Sequence, residues 1–574
     1  MNDDEIIAAA RRWTDEDPDP VTRAEAQALL ERRDLAALRD RFGARLEFGT
    51  AGLRGELGAG PNRMNRALVI RATAGLAAHL LATVPDAASR GVVVGWDGRR
   101  NSDVFARDVA ATLAGAGIVA RVLPHLAPTP LVAFAVRQSS AAAGVMVTAS
   151  HNPPEYNGYK VYWGDGGQIT PPVDAGIASA IDAVGALADV PRLEARAARE
   201  KGLHVTYGPE LEDDYVAEVH AAVPEVRRAR LTIAYTPLHG VGERLAARLL
   251  ARFGEVKSVA EQARPDGAFP TVRFPNPEEP GAMDLVLALA ARSRADLAIA
   301  NDPDADRLCV AVPRSGGWAP LSGNALGVLL GHHLLTAVQT RGPRVVANSI
   351  VSSPLLARIA ASMGVTHVET LTGFSGSPAA PHEVAREQGA RFVFGYEEAL
   401  GYCVGDIVRD KDGVSAACVA ADLASRLKAG EDPRRPARGD LPRARAFVSG
   451  QRSVTARRRR SARHRRDDAR VPRRPAEGDR RSPGHRVGGL PHGRAARRGG
   501  RLDGPASDVV RFDLEGVAGD APAERDGPKI EFYFDLREAM GPDEALAGRG
   551  ARAALEALAD AFTALVRSRG TLPL

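Results

Sequence analysis

Ala141-Ala142-Ala143-Gly144-Val145-Met146-Val147 runs directly into Thr148-Ala149-Ser150-His151-Asn152-Pro153. The first part is small and apolar and reads as a buried strand. It stops at a hydroxyl, an imidazole, an amide and two prolines, so Ser150 is expected on a loop at a strand end, where a rigid scaffold presents reactive side chains. On its own the six-residue loop also fits an ordinary Ser/Asn/Pro turn. A second stretch weighs toward the functional reading. Asn301-Asp302-Pro303-Asp304-Ala305-Asp306-Arg307 follows another apolar run, Leu297-Ala298-Ile299-Ala300, and sets three carboxylates on alternate residues. Carboxylates that close repel one another unless a cation sits among them.

At 574 residues the chain exceeds a single core and is expected to divide into several domains. Hydrophobic residues at 44% and charged residues at 26% suit a globular protein. Three cysteines, Cys309, Cys403 and Cys418, neither make a disulfide framework nor have metal-ligand spacing. The acidic start, Met1-Asn2-Asp3-Asp4-Glu5, lacks a signal-peptide pattern. No apolar run approaches the ~20 residues needed to span a bilayer. A cytoplasmic location and no membrane partner are the expectations. The net charge of +5 hides a strong asymmetry. Residues 456–501 hold 17 arginines less four acids, or +13, which leaves −8 on the remaining chain. An acidic body with one basic block gives no specific nucleic-acid partner.

The two loops, T-x-S-H-N-P and D-x-D-x-D-R, resemble those of the alpha-D-phosphohexomutase family: phosphoglucomutases, phosphomannomutases and longer phosphopentomutase-like members. The resemblance covers residues 46–415 and returns in part over 507–536. It implies three similar mixed α/β domains around a cleft, a C-terminal α+β domain and an N-terminal helical arm. The boundaries expected are 1–45 for the arm, 46–202 for a phosphoserine domain and 203–319 for a metal-binding domain. A sugar-binding domain at 320–440 and a phosphate-binding domain at 441–574 complete them.

The resemblance also implies roles. Ser150 would be the phosphoserine, and Asp302, Asp304 and Asp306, with Ser150, would hold Mg2+. Arg54, in Gly49-Thr50-Ala51-Gly52-Leu53-Arg54-Gly55, would contact the transferring phosphate. Lys160 and His151 join it as catalytic residues, Lys160 for proton transfer, since a desolvated ammonium can fall toward neutrality. Glu397, and less so Glu398, would accept hydrogen bonds from sugar hydroxyls; Arg307, Thr372, Gly373 and Lys529 are the other substrate-binding candidates. Ala399, where short family members carry serine, resembles the longer subgroup. The activity implied moves a phosphoryl group between the 1- and 6-positions of a hexose phosphate through a bisphosphate intermediate. A phosphopentomutase, a sugar-1,6-bisphosphate synthase, and a non-catalytic phosphosugar or nucleic-acid binder are the alternatives.

Other stretches read as support. Residues 1–45 look helical, with Thr22-Arg23-Ala24-Glu25 a capping-box-like start. Asp97 and Arg99, after the strand Val92-Val93-Val94, are candidates to brace the serine loop, and His239 is expected to be structural. Arg409 and Lys411 are further candidates for phosphate contact.

The resemblance breaks in three places. After Phe374 the expected lysine is replaced by Ser375-Gly376-Ser377-Pro378. Residues 456–501 keep only Leu490, Val471 and Val487 as sizeable aliphatics, so they cannot bury a core and are expected to be disordered. One reading is a phosphate- or RNA-binding insert. The other is a shifted frame of a GC-rich gene: permitted codons for Asp467 to Asp479, read one nucleotide later, encode Met-Met-Arg-Gly-Phe-Arg-Ala-Asp-Pro-Pro-Lys-Ala-Ile. Strand patterning resumes at Asp508-Val509-Val510-Arg511-Phe512-Asp513-Leu514. Then Pro522-Ala523-Glu524-Arg525-Asp526-Gly527-Pro528-Lys529 stands where the family has R-P-S-G-T-E-P-K, and only Pro528 and Lys529 match. Each missing charge-assisted phosphate contact is worth about 1.5–3 kcal/mol. A version carrying the re-framed segments is therefore expected to exceed this chain in kcat/KM by roughly tenfold or more per restored contact. Equal values in a side-by-side assay would show the missing loop to be dispensable.

Overall fold

Three sheets repeat one plan, and the plan puts each sequence motif at the same topological place. The computed structural model describes residues 1–223, 229–314, 317–337, 342–371 and 379–430, with the backbone of five strands beyond them. The first sheet orders its strands Leu53–Glu56, Tyr156–Trp163, Ala143–Val147, Val92–Trp96, Ala120–Val122 and His204–Thr206. The second orders Gly317–Pro320, Leu308–Arg314, Leu297–Asn301, Leu231–Thr236 and Gly254–Ser258. The third orders Thr366–Thr370, Arg344–Ser349, Arg391–Glu397 and Gly401–Val404. In each, a strand paired in parallel on one side leaves the sheet through a loop and returns antiparallel on its other side. Ala143–Val147 returns as Tyr156–Trp163, Leu297–Asn301 as Leu308–Arg314, and Arg391–Glu397 as Gly401–Val404. The three outgoing strands are almost wholly buried, as strands covered on both faces must be, and hence read as continuous apolar runs.

The arm forms helices Asp3–Glu16, Pro20–Glu31 and Leu35–Phe42. Its capping box lies at Asn2 and Glu5, not at Thr22. Asp19 caps the second helix with Pro20 in first position, and Thr22 sits inside it with its hydroxyl on Asp17. Proline one residue after an aspartate fixed the start a turn earlier than the threonine suggested. Ile6, Ala10, Ala26, Leu29, Leu38 and Phe42 bury against one another and Ala59. Glu25 bonds Arg41 and the Ala59 N–H, tying the arm to the first sheet's unit.

A fourth, antiparallel sheet orders Ala446–Thr455, Lys529–Glu538, Val517–Pro522, Val509–Leu514 and Arg486–Val487. The strand expected at Asp508–Leu514 is Val509–Leu514; it does not pair with Lys529–Glu538 directly, because Val517–Pro522 lies between them. Within the arginine block, Arg486–Val487 pairs with Asp513 and Phe512. The remainder of 456–501 lies outside the described residues, and the described part of this region is strand alone. Among the described residues no helix is long and apolar enough to cross a membrane.

The segment 406–412 ties the third unit to both of the others. Arg137 of the first unit bonds Asp406 at 2.7 Å, and Tyr162 and Gln168 donate to Asp410 at 3.1 and 2.8 Å. Tyr215 of the second unit donates to both oxygens of Asp412 at 2.9 and 2.8 Å. Beneath these ties one apolar core runs through all three units, with Phe134 edge-on to Tyr215, their ring centroids 5.4 Å apart. Tyr215→Phe leaves the buried Asp412 short of a donor and is expected to destabilise the protein by about 1–3 kcal/mol. Urea unfolding measures it, and a loss below about 0.5 kcal/mol would show that the tie contributes little.

Candidate functional site

Ser150 is fixed by its own loop before it meets anything else. The Thr148 hydroxyl donates to Asp97 at 2.7 Å and accepts the Ser150 N–H at 2.8 Å. Buried Arg99 donates to four carbonyls around the turn: Pro153 at 2.9 Å, Tyr156 at 3.1 Å, and Ser150 and Asn152 at 2.5 Å each. Asp97 and Arg99 thus brace the loop. They hold Ser150 at φ +52°, in the left-handed region. Its hydroxyl donates to Asp302 Oδ2 at 2.9 Å and lies 3.1 Å from His151 Nδ1. Burial, and then the nearby Arg307 and Arg54, push the His151 imidazole well below its ordinary pKa, so it is neutral.

The carboxylate loop is equally determined. Asn301 accepts from Tyr235 at 2.9 Å and donates to the Arg307 carbonyl at 2.7 Å, closing the turn. The Arg307 N–H caps Asp302 Oδ1 at 2.9 Å. Oxygens of Asp302, Asp304 and Asp306 lie within 4.8 Å of one another, all three residues buried. Burial, then the Asp304 and Asp306 charges, raises Asp302 well above the ordinary carboxylate range. Asp304 Oδ1 and Asp306 Oδ1 are buried with no hydrogen-bond partner among the described residues. A divalent cation fits there: the donors are hard oxygens, and two orphaned carboxylate oxygens are what it would satisfy.

Lys160 corrects an expectation. It is buried, with Nζ 2.7 Å from Asp304 Oδ2 and 3.0 Å from Asp306 Oδ2. Burial alone would lower its pKa, but the two carboxylates outweigh it and hold the ammonium above its ordinary value. Lys160 is a fixed positive charge, not a base near neutrality.

The third unit adds Glu397 and Glu398, which share a loop but not an environment. Glu398 accepts from Ser349 at 2.9 Å and Ser352 at 3.0 Å and is spent on its own unit. Glu397 lies in the field of Lys411, Glu398 and Arg307. Arg307 reaches across with Nη1 to the Ala399 carbonyl at 3.0 Å, and the Leu308 N–H meets the Leu400 carbonyl at 3.0 Å. Metal loop and glutamate loop are thereby one piece. Lys411 is buried between Asp410 at 3.1 Å and Asp306 at 4.0 Å, whereas Arg409 pairs away from the site with Asp406 and Asp165. Arg54 donates to Asn152 at 3.0 Å beside the serine. Thr372 and Gly373 lie outside the described residues, as does the side chain of Lys529, whose backbone opens a strand of the fourth sheet.

Two participants were not singled out from the sequence. Asn152 orients Arg54, and Thr129 donates its hydroxyl to Asp304 Oδ2 at 2.6 Å and its N–H to the Asp304 carbonyl at 2.9 Å. Asn152 lay within the quoted motif. Thr129, in Pro128-Thr129-Pro130, carries only a helix-start signal. A separate cavity of about 940 Å³, lined by Arg137, Asp214, His382, Phe392 and Arg409 among others, lies where the three units meet; neither Ser150 nor the carboxylate trio lines it.

Comparison with known proteins agrees with this arrangement. Residues 45–187, 213–317 and 322–435 match, respectively, the alpha/beta/alpha domains I, II and III of the phosphoglucomutase/phosphomannomutase family. A Haemophilus influenzae protein described as "Probable phosphomannomutase" is 46% identical over 64% of this chain and 73% of its own length. The Homo sapiens phosphopentomutase is 38% identical over 74% of this chain and 72% of its own length. A solved Burkholderia thailandensis phosphoglucomutase/phosphomannomutase family protein superposes with a TM-score of 0.61 at 20% identity, covering 89% of this chain and 97% of that one.

Burial first, then Glu398 against the opposing Lys411, raises Glu397 from the ordinary 4.5 to about 7. Between those values the folded chain holds a proton that the unfolded chain releases, so this group lowers stability as pH rises through the window. Glu397→Gln abolishes that slope. Its stability relative to the parent should climb by up to about 3 kcal/mol from pH 4.5 to 7.5 and level off above, followed by unfolding at each pH. A difference independent of pH would place the Glu397 titration elsewhere.

Proposed function

The chain belongs to the phosphoglucomutase/phosphomannomutase family, and from that premise we propose that it is a phosphosugar mutase working through phosphorylated Ser150, moving a phosphoryl group between the 1- and 6-positions of a hexose phosphate. The observation that carries the proposal is the Ser150 hydroxyl, 2.9 Å from Asp302 in a buried trio with two unpartnered oxygens. Asp302, Asp304 and Asp306 would hold the cation, Mg2+, which when bound would supply charge neutralisation for the phosphoryl group in transit.

The chain's own groups do the rest. The free hydroxyl of a sugar monophosphate attacks the phosphorus on Ser150; a P–O bond to the sugar forms as the bond to Oγ breaks. The sugar becomes a bisphosphate and Ser150 a free serine. His151, 3.1 Å from Oγ with its pKa lowered, gives the leaving oxygen its proton, and the proton shed by the attacking sugar hydroxyl replaces it on the imidazole. Arg54, set by Asn152, receives the phosphoryl oxygens, and Lys160 keeps Asp304 and Asp306 from repelling the incoming anion. Glu397 accepts from sugar hydroxyls, with Arg307 and Lys411 on either side of it. The bisphosphate then returns its other phosphate to Ser150, which regenerates the phosphoenzyme and releases the isomer. Burial of the serine keeps water from the phosphoryl group.

A pentose phosphate is the second reading. It is favoured by Ala399 in the glutamate loop and by the likeness to the human phosphopentomutase. Steady-state kinetics with the 1-phosphates of glucose, mannose, ribose and deoxyribose discriminates between them.

Intact-mass measurement is expected to find a phosphoryl group on Ser150 that vanishes in Ser150→Ala, together with interconversion of every sugar phosphate tested. Full mutase activity in that variant would sink the assignment.

A further inference from the structure

Every carboxylate of the trio is already engaged by the protein, and the groups that hold Asp304 and Asp306 come from the first unit. Asp304 Oδ2 accepts from the Thr129 hydroxyl at 2.6 Å and from Lys160 at 2.7 Å. Asp306 Oδ2 accepts from Lys160 at 3.0 Å. Asp302 uses Oδ1 for the Arg307 N–H and Oδ2 for Ser150. The oxygens of the trio with no partner among the described residues are Oδ1 of Asp304 and Oδ1 of Asp306, both buried; Asp302 would join them as a ligand through the oxygen that now accepts from Ser150.

Thr129 is fully buried and opens the helix Thr129–Gln138 between two prolines. It grips Asp304 at both ends, side chain to hydroxyl and carbonyl to N–H. A carboxylate held in that way cannot turn to offer both oxygens. The distinction matters because the two common hard cations differ in what they demand. Ca2+ gathers six to eight oxygens and uses carboxylates through one oxygen or two, whereas Mg2+ needs near-octahedral single-oxygen ligands.

Building on the metal reading given above, we propose that Thr129 is a specificity-determining residue for the cation: sharing Asp304 Oδ2 with Lys160 and anchoring the Asp304 carbonyl as well, it fixes the carboxylate's plane, restricts Asp304 to one-oxygen ligation and so favours Mg2+ over Ca2+. Thr129 touches neither cation nor substrate; it acts through Asp304. A structural role alone, satisfying a buried carboxylate, predicts loss of stability without any change in preference between the ions. The ratio of affinities separates the two.

The test is calorimetric titration of the full-length chain with MgCl2 and with CaCl2, comparing wild type, Thr129→Val and Thr129→Ser. The valine variant keeps the shape and loses the hydroxyl. Its Mg2+ affinity is expected to fall about tenfold or more, as for loss of other groups that orient a metal ligand, while Ca2+ affinity holds or rises. The serine variant keeps the hydroxyl and should stay within about twofold of wild type for both ions. Thr129→Ala, which removes the same hydroxyl with less bulk, replaces the valine variant if that one fails to fold. An unchanged Mg2+/Ca2+ ratio in the hydroxyl-free variants overturns the inference, as does an equal shift in the serine variant, which would trace the effect to packing. A wild-type chain that binds neither ion would instead overturn the metal reading, and this inference with it.

Discussion

Three carboxylates buried within 4.8 Å of one another set the terms for everything around them. Their mutual repulsion, in surroundings that solvate charge poorly, cannot be borne by one unit of the fold. The second unit supplies the acids and little to offset them beyond Arg307. The first unit sends Lys160 and Thr129, and the third sends Lys411. Electrostatics therefore requires the three sheets to be assembled around this loop. The ties along 406–412 and the shared apolar core hold them there.

The repetition of one hairpin in three sheets explains how such an assembly converges. Each outgoing strand ends in its site loop, and the returning antiparallel strand carries the next functional side chain back through the sheet. Lys160 lies on the returning strand of the first hairpin, and Arg307 directly precedes that of the second. Units so alike need only pack with their loops inward for the hydroxyl, the acids and the glutamate to meet.

Much of this was legible in the sequence, for a physical reason. Ser150 and the aspartate trio are contiguous motifs at the ends of apolar runs, and both signals are local. The residues that escaped act through space. Nothing in Pro128-Thr129-Pro130 announces that its hydroxyl faces residue 304, and nothing in Tyr162 or Gln168 points to Asp410. Lys160 was found, but its charge state was misjudged, because burial argues for a lowered pKa until the partners of the ammonium are known. Glu397 and Glu398 are identical neighbours in sequence, and only Ser349 and Ser352, some fifty residues upstream, set them apart. In the arm, a helix start moved by one turn because Asp19-Pro20 outweighs a threonine inside the first turn.

The φ of +52° at Ser150 bears on why that hydroxyl belongs to a serine. The left-handed region is open to glycine, asparagine and, less often, other unbranched residues, and is a true outlier for a side chain with two heavy atoms on Cβ. Threonine offers the same oxygen and the same chemistry toward phosphorus, but a β-branched side chain is strained at this φ, which the four Arg99 hydrogen bonds to the turn hold in place. The alcohol at this position is thus constrained by backbone shape as well as by reactivity: of the two aliphatic alcohols in the genetic code, the left-handed backbone here favours the unbranched one.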